Sequence, residues 1–288
     1  SESVKIKTRR FLEGIDVFIG DEIHHLGART WKEIAKTTKN ASVRFGFSGT
    51  CFHPDSEDLY LVAYTGEIIS SISSSRLIRE GYLAQPYIYM PKISYEDDIL
   101  PRMSNWHQIR KKMIRENEAV NTSGVNFLSK IYDKGITAMY FTGEDIKHGY
   151  IIQNMLVDAG INQRDIRFMT GNESSEVRRK ALDDFKSKKI QILGGTSIYD
   201  EGVDVPHTGA GANFGQGFSE IRTVQRMGRI LRKTKRDGEI DVDVNDKQIK
   251  YYWDPMNLSN KTTIKHSQFR ESIYEAQDEF KLFQSELD

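Results

Sequence analysis

Apolar positions fall in short runs along this chain, and most runs end in a small polar cluster. Ile15-Asp16-Val17-Phe18-Ile19 is a compact strand-type run that stops at Asp21-Glu22. Val43-Arg44-Phe45-Gly46-Phe47 stops at Ser48-Gly49-Thr50, and residues 136–141 stop at Thr142-Gly143. Arg167-Phe168-Met169 leads to Thr170-Gly171, and Ile190-Gln191-Ile192-Leu193 leads to Gly194-Gly195-Thr196. Between these runs the apolar period lengthens to that of a helix. Residues 29–39 read as one helix. Ile151, Ile152, Met155, Leu156 and Ala159 line the stripe of a second, with Gly160 as its stop, and Val177, Ala181, Leu182 and Phe185 line a third. Strands that alternate with amphipathic helices predict an α/β fold of parallel sheets covered on both sides.

Three stretches depart from that alternation. Residues 64–105 contain a serine-rich tract at 70–75, then Pro86, Pro91, Asp97-Asp98 and Pro101, and read as a domain boundary or crossover linker. The acidic residues of 237–246 alternate with Ile240, Val242 and Val244, which suits an edge hairpin. The tail, residues 271–287, carries Ile273, Ala276, Phe280 and Phe283 and reads as an amphipathic helix packed on the distal part of the chain.

In open parallel sheets, ligands bind outside the carboxyl ends of the strands, where these polar clusters fall. Glycine, serine, threonine and aspartate also make the ordinary turns that end strands, so each cluster alone has that simpler explanation. A length of 288 residues suits about two domains. Lysine plus arginine (41) equals aspartate plus glutamate (41), so a nucleic-acid partner must be held by a local patch rather than by net charge. No apolar run is long enough to span a bilayer, and the expectation is no membrane. The single cysteine, Cys51, leaves no internal disulfide framework and fits a reducing cytoplasm. With His24, His25 and His53 it fits no structural zinc spacing.

Asp21-Glu22-Ile23-His24 follows an apolar strand, where an aspartate can hold the magnesium of a nucleoside triphosphate and a neighbouring carboxylate can act on the attacking water. Two surface carboxylates at a turn are also common. Further on, Gly202-Val203-Asp204 is followed by Gln225-Arg226-Met227-Gly228-Arg229-Ile230-Leu231-Arg232. Arg229 and Arg232 are three apart and would share one helix face, where two guanidinium forks suit a triphosphate. Residues 222–236 hold seven lysines or arginines and no acid, a run that fits nucleic-acid backbone as well as catalysis. Arg110-Lys111-Lys112 and Arg115 read more simply as a solvated helix face.

Taken in order, Asp21-Glu22-Ile23-His24, Ser48-Gly49-Thr50, Thr196 with Gly202-Val203-Asp204, and Gln225 through Arg232 resemble motifs II, III, V and VI of the superfamily-two helicases. Arg76-Leu77-Ile78-Arg79-Glu80-Gly81-Tyr82-Leu83, and the segment from His266 to Tyr274 with Arg270, are similar to UvsW-type phage helicases and their XPB-like and restriction-translocase relatives. The resemblance implies two RecA-like parallel-sheet domains, the first truncated at its N-terminus. Residues 1–95 would form the partial first domain with a crossover linker, and residues 96–288 the second. It implies ATP and Mg2+, with Asp21 holding the metal through the nucleotide and Glu22 acting on the hydrolytic water. Gly202, Asp204, Gln225, Arg229 and Arg232 would approach the nucleotide from the second domain, the arginines as fingers. His24, Ser48 and Thr50 would couple the nucleotide to movement, and Thr142, Thr170 and Thr196 would sit on the nucleic-acid backbone.

One expected element is missing. Among 22 glycines there is no Gly-Lys dipeptide, and so no phosphate-cradling G-x-x-x-x-G-K-[ST] loop. The expected function is an ATP-dependent DNA helicase or translocase fragment concerned with recombination or repair, inactive alone. Its expected partners are single-stranded or branched DNA, with RNA as the alternative, and the missing part of the first domain. The rival readings are the motor of a restriction system and a non-catalytic nucleic-acid-binding module.

Overall fold

The computed structural model describes residues 2–49, 58–94, 104–199, 205, 208–233 and 248–287. Thr50, Cys51, His53, Gly202, Asp204 and the expected hairpin at 237–246 lie outside the described residues. The chain divides into two compact units, Ser1–Ile72 and Ser73–Asp288.

The first unit contains α1 (Glu2–Glu13), β1 (Val17–Gly20), a 3-10 turn at Ile23–Gly27, α2 (Arg29–Thr37), β2 (Val43–Gly46) and α3 (Asp58–Thr65). β1 and β2 pair in parallel with Val17 opposite Val43 and Ile19 opposite Phe45. Phe18 points the other way, into a core of Ile23, Leu26, Ala35, Ala41 and Leu61. Because side chains alternate across a strand, Val17, Ile19, Val43 and Phe45 share the opposite face, where they are 41% to 63% exposed. Parallel sheets are ordinarily covered on both faces. Here one face is apolar and open.

The second unit begins with α4 (Ser74–Arg79), β3 (Gln85–Tyr89), β4 (Lys92–Ile93) and α5 (Trp106–Ile109), which runs into a π-helical turn at Arg110–Arg115. There follow α6 (Glu118–Asp133), β5 (Ala138–Phe141), α7 (Ile146–Asp158), β6 (Ile166–Met169), α8 (Ser175–Lys186), β7 (Ile192–Gly195) and β8 (Ala210–Asn213). α9 (Glu220–Ile230), β9 (Ile249–Trp253), β10 (Met256–Asn257), α10 (Lys261–Glu275) and β11 (Lys281–Phe283) complete it. Seven strands form a sheet in the order β11-β3-β9-β8-β5-β7-β6, all pairings parallel. The helices begin on side-chain caps, with Asn117, Asp145, Ser174, Ser219 and Asn260 each accepting from a backbone N–H of the first turn.

Helices cover both faces of this sheet. On one, Phe127, Leu128 and Ile131 of α6 and Ile152 and Leu156 of α7 pack on Tyr140 and Ile192. On the other, Ala181 and Phe185 of α8, Met227 and Ile230 of α9 and Tyr274 of α10 pack on Met139, Leu193 and Tyr252. Gly194 is required by a close approach: a Cβ there would fall 2.0 Å from the Tyr140 ring. No helix among the described residues is long and apolar enough to cross a membrane.

Two expectations need correction. Residues 64–105 are not simply a linker, since β3 lies inside the large sheet between β11 and β9, and β4 pairs with β10. The compact units accordingly part at 72/73 rather than 95/96, because a strand hydrogen-bonded on both edges belongs to its sheet. The tail is not one helix either. α10 ends at Glu275, and Lys281–Phe283 form an edge strand beside β3, with Phe283 stacked on Tyr89 at 5.1 Å.

A buried ionic network ties the distal elements together. Arg270 of α10 donates from Nε to both Asp254 oxygens, at 3.0 and 2.8 Å, and both residues are buried. Asp254 also accepts from Tyr274 Oη at 2.7 Å and Asn213 Nδ2 at 3.1 Å. The Arg270 Nη atoms donate to the carbonyls of Gly217 and Pro255, each at 3.2 Å.

Two outcomes follow. Residues 73–288 should unfold as one cooperative unit in denaturant, whereas residues 96–288, which lack β3, should show a broad transition or aggregate. Asp254→Ala leaves a buried guanidinium unpaired and should cost about 3–5 kcal/mol in chemical denaturation. A loss no greater than that of an exposed ion pair, up to about 1 kcal/mol, would contradict this role.

Candidate functional site

The acidic motif sits where β1 ends. Asp21 is exposed, and its Oδ1 accepts the Glu22 N–H at 2.9 Å. Glu22 adopts a left-handed backbone, φ 46° and ψ 47°, which a side chain with a Cβ takes at a cost of roughly 1–2 kcal/mol. The turn is held from the neighbouring strand end, since Ile23 N–H donates to Phe47 O at 2.9 Å and Phe47 N–H donates to Gly20 O at 2.8 Å. His24, nearly buried, then lies between the two motifs. Its Nδ1 is 3.0 Å from Ser48 Oγ and 3.3 Å from Glu22 Oε2. The structure thus brings Asp21, Glu22, His24 and Ser48 together at the carboxyl ends of two paired strands.

In the second unit Thr142, Thr170 and Thr196 follow β5, β6 and β7, which are adjacent in the sheet. All three are buried, with no more than 6% of their surface exposed. Thr170 Oγ1 donates to Glu173 Oε2 at 2.8 Å and accepts from Asn172 N–H at 3.1 Å, closing the turn after β6. Burial pushes the Glu173 carboxyl up, but donation from the Thr170 hydroxyl and amide outweighs it and holds the group below the usual carboxylate range. Thr142 N–H donates to Gly195 O and Thr196 N–H to Met169 O, so both threonines continue the strand ladder by one residue. The exposed residues at these ends are Gly171, Asn172 and Glu144.

The arginine motif is split by the helix end. Gln225 and Arg229 lie on α9, the first partly and the second nearly buried. Arg232 is exposed and lies beyond the helix, in an isolated antiparallel bridge with Leu83, so it shares no helical face with Arg229. The three-residue spacing fails here because α9 is already capped at Leu231. Among the described residues no three His, Cys, Asp or Glu side chains converge as metal ligands.

Sequence reasoning passed over Arg226 and Asn213. Arg226 is buried, its Nη1 donates to Asn213 Oδ1 at 2.9 Å, and its guanidinium lies 5.4 Å from the Phe141 ring centroid. Asn213 in turn reaches Asp254, so the arginine motif is joined to the ionic network. The available signal was an arginine inside an otherwise amphipathic helix, which gives no hint of its partner. His148 in the first turn of α7 was passed over too. Burial lowers its pKa to about 4, and its Nε2 lies 2.8 Å from Asn121 Oδ1.

Residues 126–234 match the helicase conserved C-terminal domain, and residues 1–53 match the type III restriction enzyme res subunit. A protein bearing the name helicase 22 from Sulfolobus islandicus filamentous virus (isolate Iceland/Hveragerdi) is 27% identical over 93% of this chain and 48% of its own length. The ATP-dependent DNA helicase uvsW of Enterobacteria phage T4 is 21% identical over 81% of this chain and 46% of its own. The chain therefore spans about half the length of these relatives. In fold it is similar to a fragment assigned as the HsdR subunit of a type I restriction enzyme from Vibrio vulnificus YJ016. The TM-score is 0.65 at 17% identity, covering 95% of this chain and 50% of that one. With a parallel sheet of RecA-like type, a helicase family model matched over residues 126–234 and a restriction-enzyme one over residues 1–53, the chain is similar to the superfamily-two helicases over these parts.

Proposed function

We propose that the chain is the motor portion of an ATP-dependent DNA helicase or translocase that moves on single-stranded or branched DNA in recombination or repair. The observation that carries this reading is the junction at the ends of β1 and β2, where His24 lies between the acidic pair and Ser48. A hydrogen bond between two strand-end motifs is a means of passing a change at a nucleotide to the chain that leads away from it.

The residues divide the chemistry. Asp21 is exposed and commits one oxygen to the Glu22 amide, which fits a metal ligand that reaches its ion through the nucleotide. A magnesium ion carried in with ATP would neutralise charge on the terminal phosphates. Glu22 would orient and deprotonate the attacking water, its strained backbone fixing the carboxylate relative to Asp21. Gln225, Arg229 and Arg232 would meet the phosphate oxygens as charge develops on them. Gly202, Asp204 and Thr50 keep the roles implied by the family resemblance. Nucleic acid would be held by exposed groups at the strand ends, weakly, with little sequence preference and strong salt dependence. RNA is the alternative strand. The open apolar face of β1 and β2 would receive further elements of the same domain, including the phosphate loop that these 288 residues do not contain.

A second reading, the motor of a restriction system, is favoured by the match at residues 1–53 and the fold likeness to the HsdR fragment. The two separate on long unmodified DNA in the assembled system, since a restriction motor supports cleavage and a repair helicase supports strand separation.

Residues 1–288 alone should show no DNA-stimulated ATP hydrolysis in a steady-state assay. Robust stimulated activity would overturn the division of labour above. In a polypeptide that carries this chain together with a phosphate loop, Glu22→Gln should lower turnover by about 10²–10⁴-fold and leave ATP binding intact. There, Ser48→Ala removes the hydroxyl beside His24. ATP turnover should change by only a few fold, while strand separation falls at least about tenfold. Equal loss of both would show that His24 and Ser48 only support the fold.

A further inference from the structure

The sheet of the second unit changes direction between β5 and β8. These strands are neighbours, yet the chain leaves β5 for α7 on one face and leaves β8 for α9 on the other. Loops that diverge in this way leave a crevice at the carboxyl edge, the favoured ligand position in open α/β sheets. The crevice has a volume of about 590 Å³. Gly143, Gly215 and Gly217 line it, and a Cβ on Gly215 would lie 3.1 Å from Gly143 N, so backbone meets backbone there.

The crevice combines cations with aromatic rings. Arg110, Arg222 and Arg226 line it, against a single carboxylate among the described residues, Glu144. Arg226 is buried and held by Asn213, so it contributes fixed positive charge. Arg110 pairs with no carboxylate among the described residues; its Nη2 lies 3.5 Å from Thr142 O. Arg222 pairs with Glu144 at 3.1 Å, but both side chains are about half exposed, and such a pair is readily exchanged for a better anion. Ser219 and Arg222 also bring the start of α9 to the crevice, adding its amide dipoles. Trp106, His266 and Phe218 form a continuous aromatic row, with ring centroids 4.7 and 5.1 Å apart. Burial lowers the His266 pKa, with Arg270 acting in the same direction.

Guanidinium groups at a helix start recognise a phosphate, and a partly exposed aromatic row accepts a flat heterocycle. We propose that this crevice is a nucleotide pocket, with the phosphate at Arg110 and Arg222 and the base against Phe218 and Trp106. It rests on the helicase reading only in that a bound strand would be one source of the nucleotide; a free mononucleotide is the other.

The test uses the 288-residue chain. Binding of a labelled thymidine oligonucleotide is read by anisotropy, and binding of thymidine monophosphate and of inorganic phosphate by calorimetry. Phe218→Ala and Arg222→Gln should each weaken nucleotide binding about tenfold with unchanged thermal stability, and Phe218→Tyr should restore it. Loss with the oligonucleotide alone assigns a strand as the source, and loss with the monophosphate as well assigns the free nucleotide. Oligonucleotide binding that neither variant weakens overturns the pocket and leaves the helicase reading standing. Monophosphate binding that depends on Phe218, without any oligonucleotide binding, keeps the pocket and counts against that reading. Phosphate binding equal to that of the monophosphate and indifferent to Phe218 overturns the proposal, because the base would then play no part.

Discussion

The bond between Asp254 and Arg270 fixes more of the second unit than any single apolar contact does. It joins α10 to the end of β9, and through Gly217, Pro255 and Asn213 it also holds the loops that follow β9 and β8. A buried charge pair repays its desolvation only when its remaining donors and acceptors are satisfied. Here Asp254 receives Arg270, Tyr274 and Asn213, and Arg270 uses its remaining nitrogens on carbonyls. An apolar core would tolerate small sliding of α10 or of the loop after β8. A network with this many directional bonds does not, and so it also positions Arg226, one bond further on from Asn213.

The first unit is held by a different constraint. Among its described residues two strands supply few hydrogen bonds and the core is small, so the geometry of the acidic turn depends on the strand-end bonds from Ile23 and Phe47. Glu22 is kept in a left-handed conformation between them. Strain of this kind persists where the surroundings over-determine it, and it occurs here at the residue proposed to act on the attacking water.

Much of this was legible in the sequence, for a physical reason. Each apolar run of 15–19, 43–47, 136–141, 167–169 and 190–193 ends abruptly in small polar residues, as a buried parallel strand does when it emerges at its carboxyl edge. β3 was not legible because Pro86 and Pro91 bracket Tyr87-Ile88-Tyr89-Met90, and proline argues against an interior strand. Pro86 is tolerated near the strand start, where one missing donor is the whole cost. The tail was misread because Ile273, Ala276, Phe280 and Phe283 fit a helical period across a turn at Gln277 and Asp278, which periodicity cannot see. At the site, the sequence located the strand ends but not which polar groups face outward. Thr142, Thr170 and Thr196 stand at strand ends, and in the fold all three are buried, the Thr170 hydroxyl closing its own turn.

That distinction orders the polar residues of both units. Thr170, Asn213, Arg226 and Asp254 are buried and bonded to one another or to neighbouring loops, so replacing any of them leaves a partner unsatisfied inside the protein. Their loss must register first in stability, and in binding only through displaced loops. Asp21, Phe218, Arg222 and Arg232 are presented to solvent, where folding gains little from them. Exposed aromatic and charged groups that stability does not need are the ones a ligand can use. The chain as a whole has no excess positive charge, yet Arg110, Arg222 and Arg226 meet in one crevice against one carboxylate among the described residues. Balanced composition and a locally cationic cleft are compatible because screening by salt confines each charge to its surroundings, about 8–10 Å at ordinary ionic strength. A phosphate within that range meets the three arginines rather than the neutral average of the protein.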